Sequence, residues 1–281
     1  MSATISRETL MHVVKTLPAA PQILARLGQL RLEPNADLDD VTALLKCDAA
    51  LTARILRIAN SPAYTTGSSY GSLEQALARV GFSEIYKIAG FAVVAQISNQ
   101  HLRLYSISGT QLRENSLLTA LIMEELAEFA GTDAQEAYSA GLLRSTGKVA
   151  LESVMRDSPR RSTYEADKCG RLSDWETHLT GFCNSDAAAF ILTEWHFPKT
   201  IIAAIGHHYA PESATVEPKL AALLNLAAGA ADRAGFGLAC EAAYWDPTPS
   251  RWTAAGVHEG QMKEAVRVAL EQFGQLRSAL S

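Results

Sequence analysis

The residues with the most evident chemical capacity are two adjacent histidines, His207 and His208, and an aspartate, Asp232, that follows an alanine-rich segment. Imidazole nitrogens and a carboxylate can hold a metal ion or transfer protons. Adjacent residues of a helix, however, point about 100° apart, so both rings cannot comfortably face one ion. We therefore interpret one histidine as a buried or rim residue and the other as exposed.

A second candidate is the stretch Gly141-Leu-Leu-Arg-Ser-Thr-Gly-Lys148. The guanidinium of Arg144 stays protonated and has no lone pair to give to a metal. In a pocket it could form an internal ion pair with a carboxylate such as Asp186 or Asp232, which is the interpretation we favour. The alternative is a cationic site for a phosphate or nucleotide. The side chains of that anion site would be Arg144, Lys148, His207 and His208.

Composition limits the remaining function classes. The 281-residue chain is 48% hydrophobic and 20% charged, which is typical of a soluble globular protein. Its net charge of −5 argues against broad nucleic-acid binding, which needs a basic surface. No phosphate-binding G-x-x-x-x-G-K-[ST] loop, nucleophile elbow or H-E-x-x-H pair supports another enzyme class.

The cysteines and the N-terminus indicate a cytoplasmic protein. Cys47, Cys169, Cys183 and Cys240 lie far apart without a C-x-x-C spacing, so we expect reduced thiols in a reducing compartment. The first residues lack the basic and apolar pattern of a signal peptide, and no apolar run approaches the roughly 18 residues that span a bilayer. We expect no membrane association.

Apolar periodicity predicts an all-α protein with well over ten helices and no sheet. Asp37 is expected to cap a helix over Leu38–Lys46, and Asp133 the helix that carries Arg144. Ser72-Leu-Glu-Gln75 and Ser173-Asp-Trp-Glu176 match the capping-box pattern. Further helices are predicted from about Pro21, from about Asp48, over Ser83–Ser98, up to Gly131, over Lys199–His208, over Leu220–Arg233 and over Glu259–Leu280.

The segment Ser106-Ile-Ser-Gly-Thr110 has the small and polar composition of a linker. We predict an N-terminal helical lobe over residues 1–105 and a C-terminal helical lobe over residues 106–281. The two lobes are expected to share one core.

Three stretches together resemble the HD-related output domain, HDOD. They are Leu17-Pro18 with Pro21, then Cys47-Asp-Ala-Ala-Leu-Thr-Ala-Arg-Ile-Leu-Arg-Ile-Ala-Asn-Ser61, and Ser72-Leu-Glu-Gln-Ala-Leu-Ala-Arg-Val-Gly81. The resemblance extends through Gly141–Lys148 and Trp195–Pro198 to His207 and His208. It covers about residues 10–235 as one continuous HDOD unit, followed by a C-terminal helix. The Asn-Ser segment and its spacing to the helix that ends at Gly81 carry most of its specificity.

The resemblance implies a multi-helical fold related to HD phosphohydrolases and HD-GYP phosphodiesterases, with a degenerate C-terminal lobe. In those enzymes an adjacent His and Asp within G-L-L-H-D-I-G-K hold a divalent metal. A fixed positive charge about 4 Å from a divalent ion costs roughly 8 kcal/mol at an effective dielectric constant near 20. We therefore expect no metal and no cofactor. The metal positions that are lost map to Asn115, Arg144, Ser145, Asn184 and Ala228.

The resemblance further implies a non-catalytic bacterial signalling module that acts through protein–protein contacts. Its partner would be a cyclase, a kinase or a response regulator acting in trans, and a homodimer is a further option. The candidate partner surface comprises Asn60, Ser61, Tyr64 and Tyr70, although Asn60 and Ser61 are also expected to turn the chain between helices. Two alternatives stay open: a weakly active metal-dependent phosphodiesterase or nucleotidase that uses His207, His208 and Asp232, and a ligand-sensing module that binds anions through Arg144.

Overall fold

The computed structural model describes residues 5–16, 18, 20–62, 64, 69–159 and 161–278. Within these ranges the chain forms sixteen α-helices, and its only strand-like pairing is one isolated bridge between Leu102 and Ile107. The all-α prediction is confirmed. Leu17, most of the loop over residues 63–71 and the predicted helix end at Leu280 fall outside the described residues.

The helices follow one another with short connections. They are α1 (Arg7–Thr16), α2 (Ala20–Leu30), α3 (Leu38–Lys46), α4 (Ala49–Ala59), α5 (Leu73–Val80), α6 (Phe82–Ile97), α7 (Gly109–Ala130), α8 (Ala134–Leu143), α9 (Thr146–Met155), α10 (Ala166–Cys169), α11 (Leu172–Thr180), α12 (Asn184–Glu194), α13 (Lys199–His207), α14 (Pro218–Ala231), α15 (Pro249–Ala255) and α16 (Glu259–Ser278). Short 3₁₀ or π turns occupy Pro211–Ser213, Asp232–Phe236 and Ala239–Tyr244.

Side-chain caps begin several helices where the sequence predicts them. The Asp37 carboxylate accepts from the backbone of Asp39 and Asp40 and opens α3, and Asp133 accepts from Glu136 N and opens α8. Each such bond satisfies a backbone N–H that has no partner inside the helix. At Ser72 the hydroxyl accepts from Gln75 N as predicted, but the Gln75 side chain accepts from Gly71 N, so the full capping box is not formed.

The predicted capping box at Ser173–Glu176 is wrong. Helix α11 begins two residues after Gly170, with Arg171 at the N-cap and no side-chain cap bond. Glu176 lies within the helix, 1% exposed, and its carboxylate bonds to Asn184. A glutamate three residues after a serine therefore serves a tertiary contact here instead of a cap.

Helix α7 lies at the centre of the C-terminal half and packs against α8, α14 and α16, while α9 packs on α12. One hydrophobic cluster runs from Leu10 to Leu276 and includes residues from both predicted lobes. Two glycines allow the chain around Arg144 to approach its neighbours closely. A Cβ at Gly141 would lie 2.7 Å from Ala120 Cα, and one at Gly147 would lie 1.8 Å from Asn184 O. These contacts fix the α8–α9 turn against α7 and α12.

Candidate functional site

The turn between α8 and α9 buries a guanidinium. Arg144 is 0% exposed, and its Nη1 donates to both carboxylate oxygens of Glu241, at 3.0 and 2.8 Å. Its Nη2 donates to Asn115 Oδ1 at 2.5 Å, and Trp245 places its ring 5.4 Å from the guanidinium carbon. One guanidinium nitrogen is thus shared between both oxygens of the carboxylate, and an aromatic ring lies against the cation.

One turn into α9, Lys148 is buried beside the same carboxylate. Its Nζ donates to Glu241 Oε1 at 2.5 Å, to the Tyr209 hydroxyl at 2.6 Å and to Asn184 Oδ1 at 3.0 Å. An ammonium has three N–H donors, so all three are used within the protein. Lys148 and Glu241 are both 0% exposed.

A second carboxylate extends this buried network. Glu176 accepts from Asn184 N at 2.8 Å and from Asn184 Nδ2 at 2.8 and 3.0 Å. Bonds therefore run without interruption from Glu176 through Asn184, Lys148 and Glu241 to Arg144 and then Asn115. The network joins α7, the α8–α9 turn, α9, α11, α12 and the 239–244 turn at one point of the core.

Burial and neighbouring positive charge shift the pKa of each of the two carboxylates in opposite directions. Burial acts to raise the pKa of Glu241, but Arg144 and Lys148 outweigh it and hold that pKa well below the usual range. Burial raises the pKa of Glu176, and Lys148 offsets the effect only in part. Glu241 is thus the group that neutralises the cations, as an ionised carboxylate between two of them.

His208 lies beside this network as a neutral ring. It is 0% exposed, and its Nδ1 lies 2.7 Å from Ile205 O. Burial first, and then the nearby Arg144 charge, lower the pKa of His208 to about 3. His207 is half-buried, and its ring bonds Ser213 Oγ at 3.1 Å instead. One histidine is therefore buried and the other reaches the surface, as predicted.

These residues do not fit a divalent metal. The resemblance places Arg144 where an HD enzyme has a metal-ligating histidine, whereas Lys148 is a lysine that the motif itself contains. In this chain the Arg144 guanidinium and the Lys148 ammonium are both bonded to a single carboxylate, that of Glu241. The described residues contain no group of three or more His, Cys, Asp or Glu side chains that could ligate an ion. His207, His208 and Asp232 are not brought together as a ligand set. A metal at this position would face the fixed positive charge of Arg144, which costs several kcal/mol at close range.

The prediction of which carboxylate pairs with Arg144 was wrong. Its partner is Glu241, whereas Asp186 and Asp232 form no ion pair with it. Spacing could not identify Glu241, because it lies 97 residues further along the chain. A weak signal existed, since Glu241 is the one charged residue in the otherwise apolar and aromatic stretch 238–245.

Five positions were predicted to have lost the metal ligands of the HD enzymes. Three of them lie in the network: Asn115, Arg144 and Asn184. Ser145 is buried, and its hydroxyl has no hydrogen-bond partner within the described part of the chain. Ala228 lies on α14, 1% exposed.

The predicted anion site is closed. Arg144 and Lys148 are fully buried and bonded to Glu241, and His208 is buried against Ile205 O. The four side chains predicted to bind an anion therefore present no joint surface to a phosphate.

At the predicted partner surface, Asn60 holds the loop that follows α4. Its Nδ2 donates to Tyr70 O at 3.0 Å, and its Oδ1 accepts from Tyr70 N at 2.6 Å. The Tyr70 hydroxyl donates to Tyr64 O at 3.2 Å, and both tyrosines are half-buried. Ser61 is only 7% exposed, so it is not a surface residue. Asn60 thus acts as the expected turn residue, and Tyr64 and Tyr70 remain accessible in part.

The HDOD domain model matches residues 17–211, and the chain belongs to the HDOD family. The match stops before Glu241, so the carboxylate that neutralises Arg144 and Lys148 comes from a segment beyond the matched range. No helix among the described residues has both the length and the apolar character needed to cross a bilayer.

Solved structures share the fold over nearly the whole chain. An HDOD domain protein of unknown function from Geobacter sulfurreducens is 20% identical, with a TM-score of 0.68 and coverage of 98% of each chain. A candidate phosphohydrolase from Shewanella amazonensis SB2B is 22% identical, with a TM-score of 0.64, covering 97% of this chain and 98% of that one. A candidate signal transduction protein from Marinobacter aquaeolei VT8 is 20% identical, with a TM-score of 0.69 and coverage of 97% and 64%.

A curated relative from Treponema pallidum (strain Nichols), described as uncharacterized, is 21% identical over 210 residues. The match covers 71% of this chain and 39% of that protein. The chain therefore spans well under half the length of this relative.

Proposed function

We propose that this chain is a signalling module without hydrolytic activity, which acts by contacting a protein partner. The observation that carries the proposal is the closed network of Arg144, Lys148 and Glu241, each 0% exposed. A catalytic site must admit substrate and keep positions open for it, whereas the two cations and the carboxylate of this network bond one another in the interior. The HDOD membership and a Marinobacter neighbour described as a candidate signal transduction protein support the same role.

The network also suggests how such a module would work. It ties together helices from residues 115 to 241, so the C-terminal half is held as one rigid body. A rigid body presents a fixed surface and so loses little conformational entropy when it binds. We propose that the partner is a cyclase, a kinase or a response regulator, in keeping with the signalling character of the family.

The loop after α4 is our candidate contact surface. Aromatic side chains on a loop are typical of protein interfaces, because they add contact area at low entropic cost. The Asn60 clamp fixes where Tyr70 leaves the body of the protein.

Metal content and hydrolysis test the absence of catalysis. We expect purified protein from a metal-supplemented culture to carry Mn, Fe, Ni and Zn far below one equivalent by elemental analysis. We also expect no turnover of a generic phosphodiester probe above the buffer rate. One equivalent of metal, with turnover that a chelator removes, would contradict the proposal.

The contact surface is tested with Tyr70→Ala and the matched control Tyr164→Ala, a second half-buried tyrosine. A Tyr at an interface contributes on the order of 1–2 kcal/mol, so Tyr70→Ala should weaken binding of a signalling partner about tenfold. The control should bind as the parent protein does. Equal binding by all three proteins would remove this loop from the interface.

A further inference from the structure

A cavity of about 310 Å³ lies between α6, α7 and α16. The side of α7 that lines it carries four side chains at helical spacing: Thr110, Arg113, Glu114 and Leu117. Residues three and four positions apart share one side of a helix, so these four groups lie next to one another. The cavity therefore has two charged groups, a hydroxyl and an apolar side chain along one helix.

The remaining wall of the cavity is largely apolar. Phe91 from α6, Leu117 from α7 and Phe273 from α16 are buried side chains that line it. The Phe273 ring is held by Phe236, with ring centroids 4.8 Å apart and an angle of 67° between the ring planes. A cleft of this size, with an apolar wall and a few polar groups, is typical of small-ligand sites.

Three charged side chains line the cavity, and two of them neutralise each other. Arg277 Nε lies 2.8 Å from Glu114 Oε1. Arg113 has no carboxylate partner among the residues that the structure describes. Its Nη1 donates to Ser98 O at 3.2 Å, and its Nη2 donates to Thr110 Oγ1 at 2.9 Å. One positive charge of the lining is therefore left without an opposite charge.

The guanidinium of Arg113 is held in position but keeps free donors. A Cβ at Gly109 would lie 2.2 Å from Ser98 O, so the glycine lets the start of α7 approach the carbonyl that Arg113 binds. A guanidinium has five N–H groups, and three of those on Arg113 have no acceptor within the described part of the chain. Three other half-buried cations do pair with carboxylates: Lys87, Arg161 and Arg251.

We propose that this cavity binds a small aromatic monocarboxylate, with the carboxylate on Arg113 and the ring against Phe91 and Phe273. A guanidinium bonds a carboxylate through its fixed N–H donors, and the two groups carry equal and opposite charge. The lining has one uncompensated positive charge, so a single carboxylate neutralises it. An aromatic group suits the two phenylalanine rings, because aromatic pairs pack favourably beyond the area they bury. Such a site is independent of the signalling role proposed above.

The test uses phenylacetate, which joins one carboxylate to one ring, and phenylacetamide as its neutral counterpart. Both are titrated into the full chain at constant ionic strength, and the NMR shifts of the backbone amides are followed. We expect saturable one-to-one binding of phenylacetate, with shifts concentrated at the start of α7. Phenylacetamide should bind about tenfold more weakly because it lacks the charge. Acetate should also bind more weakly than phenylacetate, because it has no ring to bury.

Two variants change the charge of the lining in opposite directions. Arg113→Gln removes the uncompensated cation and should weaken phenylacetate binding about tenfold, with phenylacetamide binding unchanged. Glu114→Gln releases Arg277 from its ion pair and should strengthen phenylacetate binding roughly two- to fivefold, the value of an exposed charge pair. A misfolded protein cannot produce this gain. Arg7→Gln removes an exposed arginine of α1 and should leave each affinity unchanged.

Three results would overturn the proposal. One is the absence of saturable binding at millimolar phenylacetate. Another is equal affinity for phenylacetate and phenylacetamide, or an unchanged affinity in Arg113→Gln, because either would show that the Arg113 charge does not hold the ligand. The third is equal weakening by Arg113→Gln and Glu114→Gln, which would mean that the two side chains maintain the shape of the cavity and do not act through charge.

Discussion

Two regions of this molecule place cations side by side, and they treat those charges differently. In the C-terminal half, Arg144 and Lys148 are fully buried and share the Glu241 carboxylate. In the N-terminal half, Arg54 is half-buried and Arg57 is exposed on α4, and neither side chain forms an ion pair within the described residues. Removing a cation from water costs several kcal/mol, so a buried pair must carry its counter-ion within the fold. Cations that keep contact with water have no such requirement.

The difference separates cations that the fold must neutralise from cations that water can solvate. The buried network should respond to mutation through a large change in stability. The α4 arginines should lose little stability when one of them is removed. Measurements of stability on variants of the two regions can therefore test this difference.

The largest effect is expected from Glu241→Gln. This change keeps the side-chain shape but leaves Arg144 and Lys148 buried without a counter-ion, which costs about 3–5 kcal/mol of unfolding free energy. Urea denaturation measures the loss. Glu212→Gln is the matched control, because Glu212 is half-exposed in its pair with Arg251 and should lose no more than about 1 kcal/mol. Equal losses in both variants would show that the buried carboxylate is not required.

A triple replacement separates charge from packing. The variant Arg144→Met with Lys148→Met and Glu241→Leu removes both cations along with the anion. Apolar groups of similar volume often replace buried ion pairs without loss of stability. We expect the triple variant to unfold at a higher urea concentration than Glu241→Gln, although Asn115, Asn184 and Tyr209 lose hydrogen bonds worth about 1 kcal/mol each. A triple variant that is less stable than Glu241→Gln would show that the network stabilises the fold through the packing of its side chains and not through charge balance.

These two tests concern a site for which the sequence pointed to Asn115, Arg144, Lys148 and Asn184 but not to the carboxylate that joins them. The turn at Arg144 was placed correctly because the flanking Gly141 and Gly147 keep a recognisable spacing, and both glycines make close backbone contacts. Glu241 was missed because an ion pair across 97 residues leaves no periodic trace. Helix bounds followed from caps such as Asp37, whose bonds are local. Glu176 looked like a cap residue, but its carboxylate bonds to Asn184, at the start of the next helix, instead of to the backbone of its own helix.

His208 supplies a pH test of the buried region. Burial lowers the pKa of His208 in the folded protein to about 3, whereas the usual pKa of a histidine is about 6.5. Below about pH 6.5 the unfolded chain binds a proton that the folded chain does not, so the unfolding free energy must fall as the pH falls toward 3. The slope for one proton reaches about 1.4 kcal/mol per pH unit.

We expect His208→Gln to flatten this part of the stability profile between about pH 6 and 4. Glu176 acts in the opposite direction, because its raised folded pKa favours the folded state at low pH, but it is present in both proteins. Urea titrations at each pH give the two slopes. Parallel profiles for the parent and the variant would mean that the ring takes up a proton in the folded protein.

The smallest effect is expected at Arg57, and its sign is informative. In the unliganded protein Arg57→Gln removes repulsion from Arg54, so unfolding free energy should rise by about 0.2–0.5 kcal/mol at low salt. The gain should vanish near 1 M salt, where the screening length falls to about 3 Å. Arg7→Gln should show no salt-dependent gain. A loss of stability in Arg57→Gln that persists at high salt would show that Arg57 stabilises the fold, as Arg144 and Lys148 do.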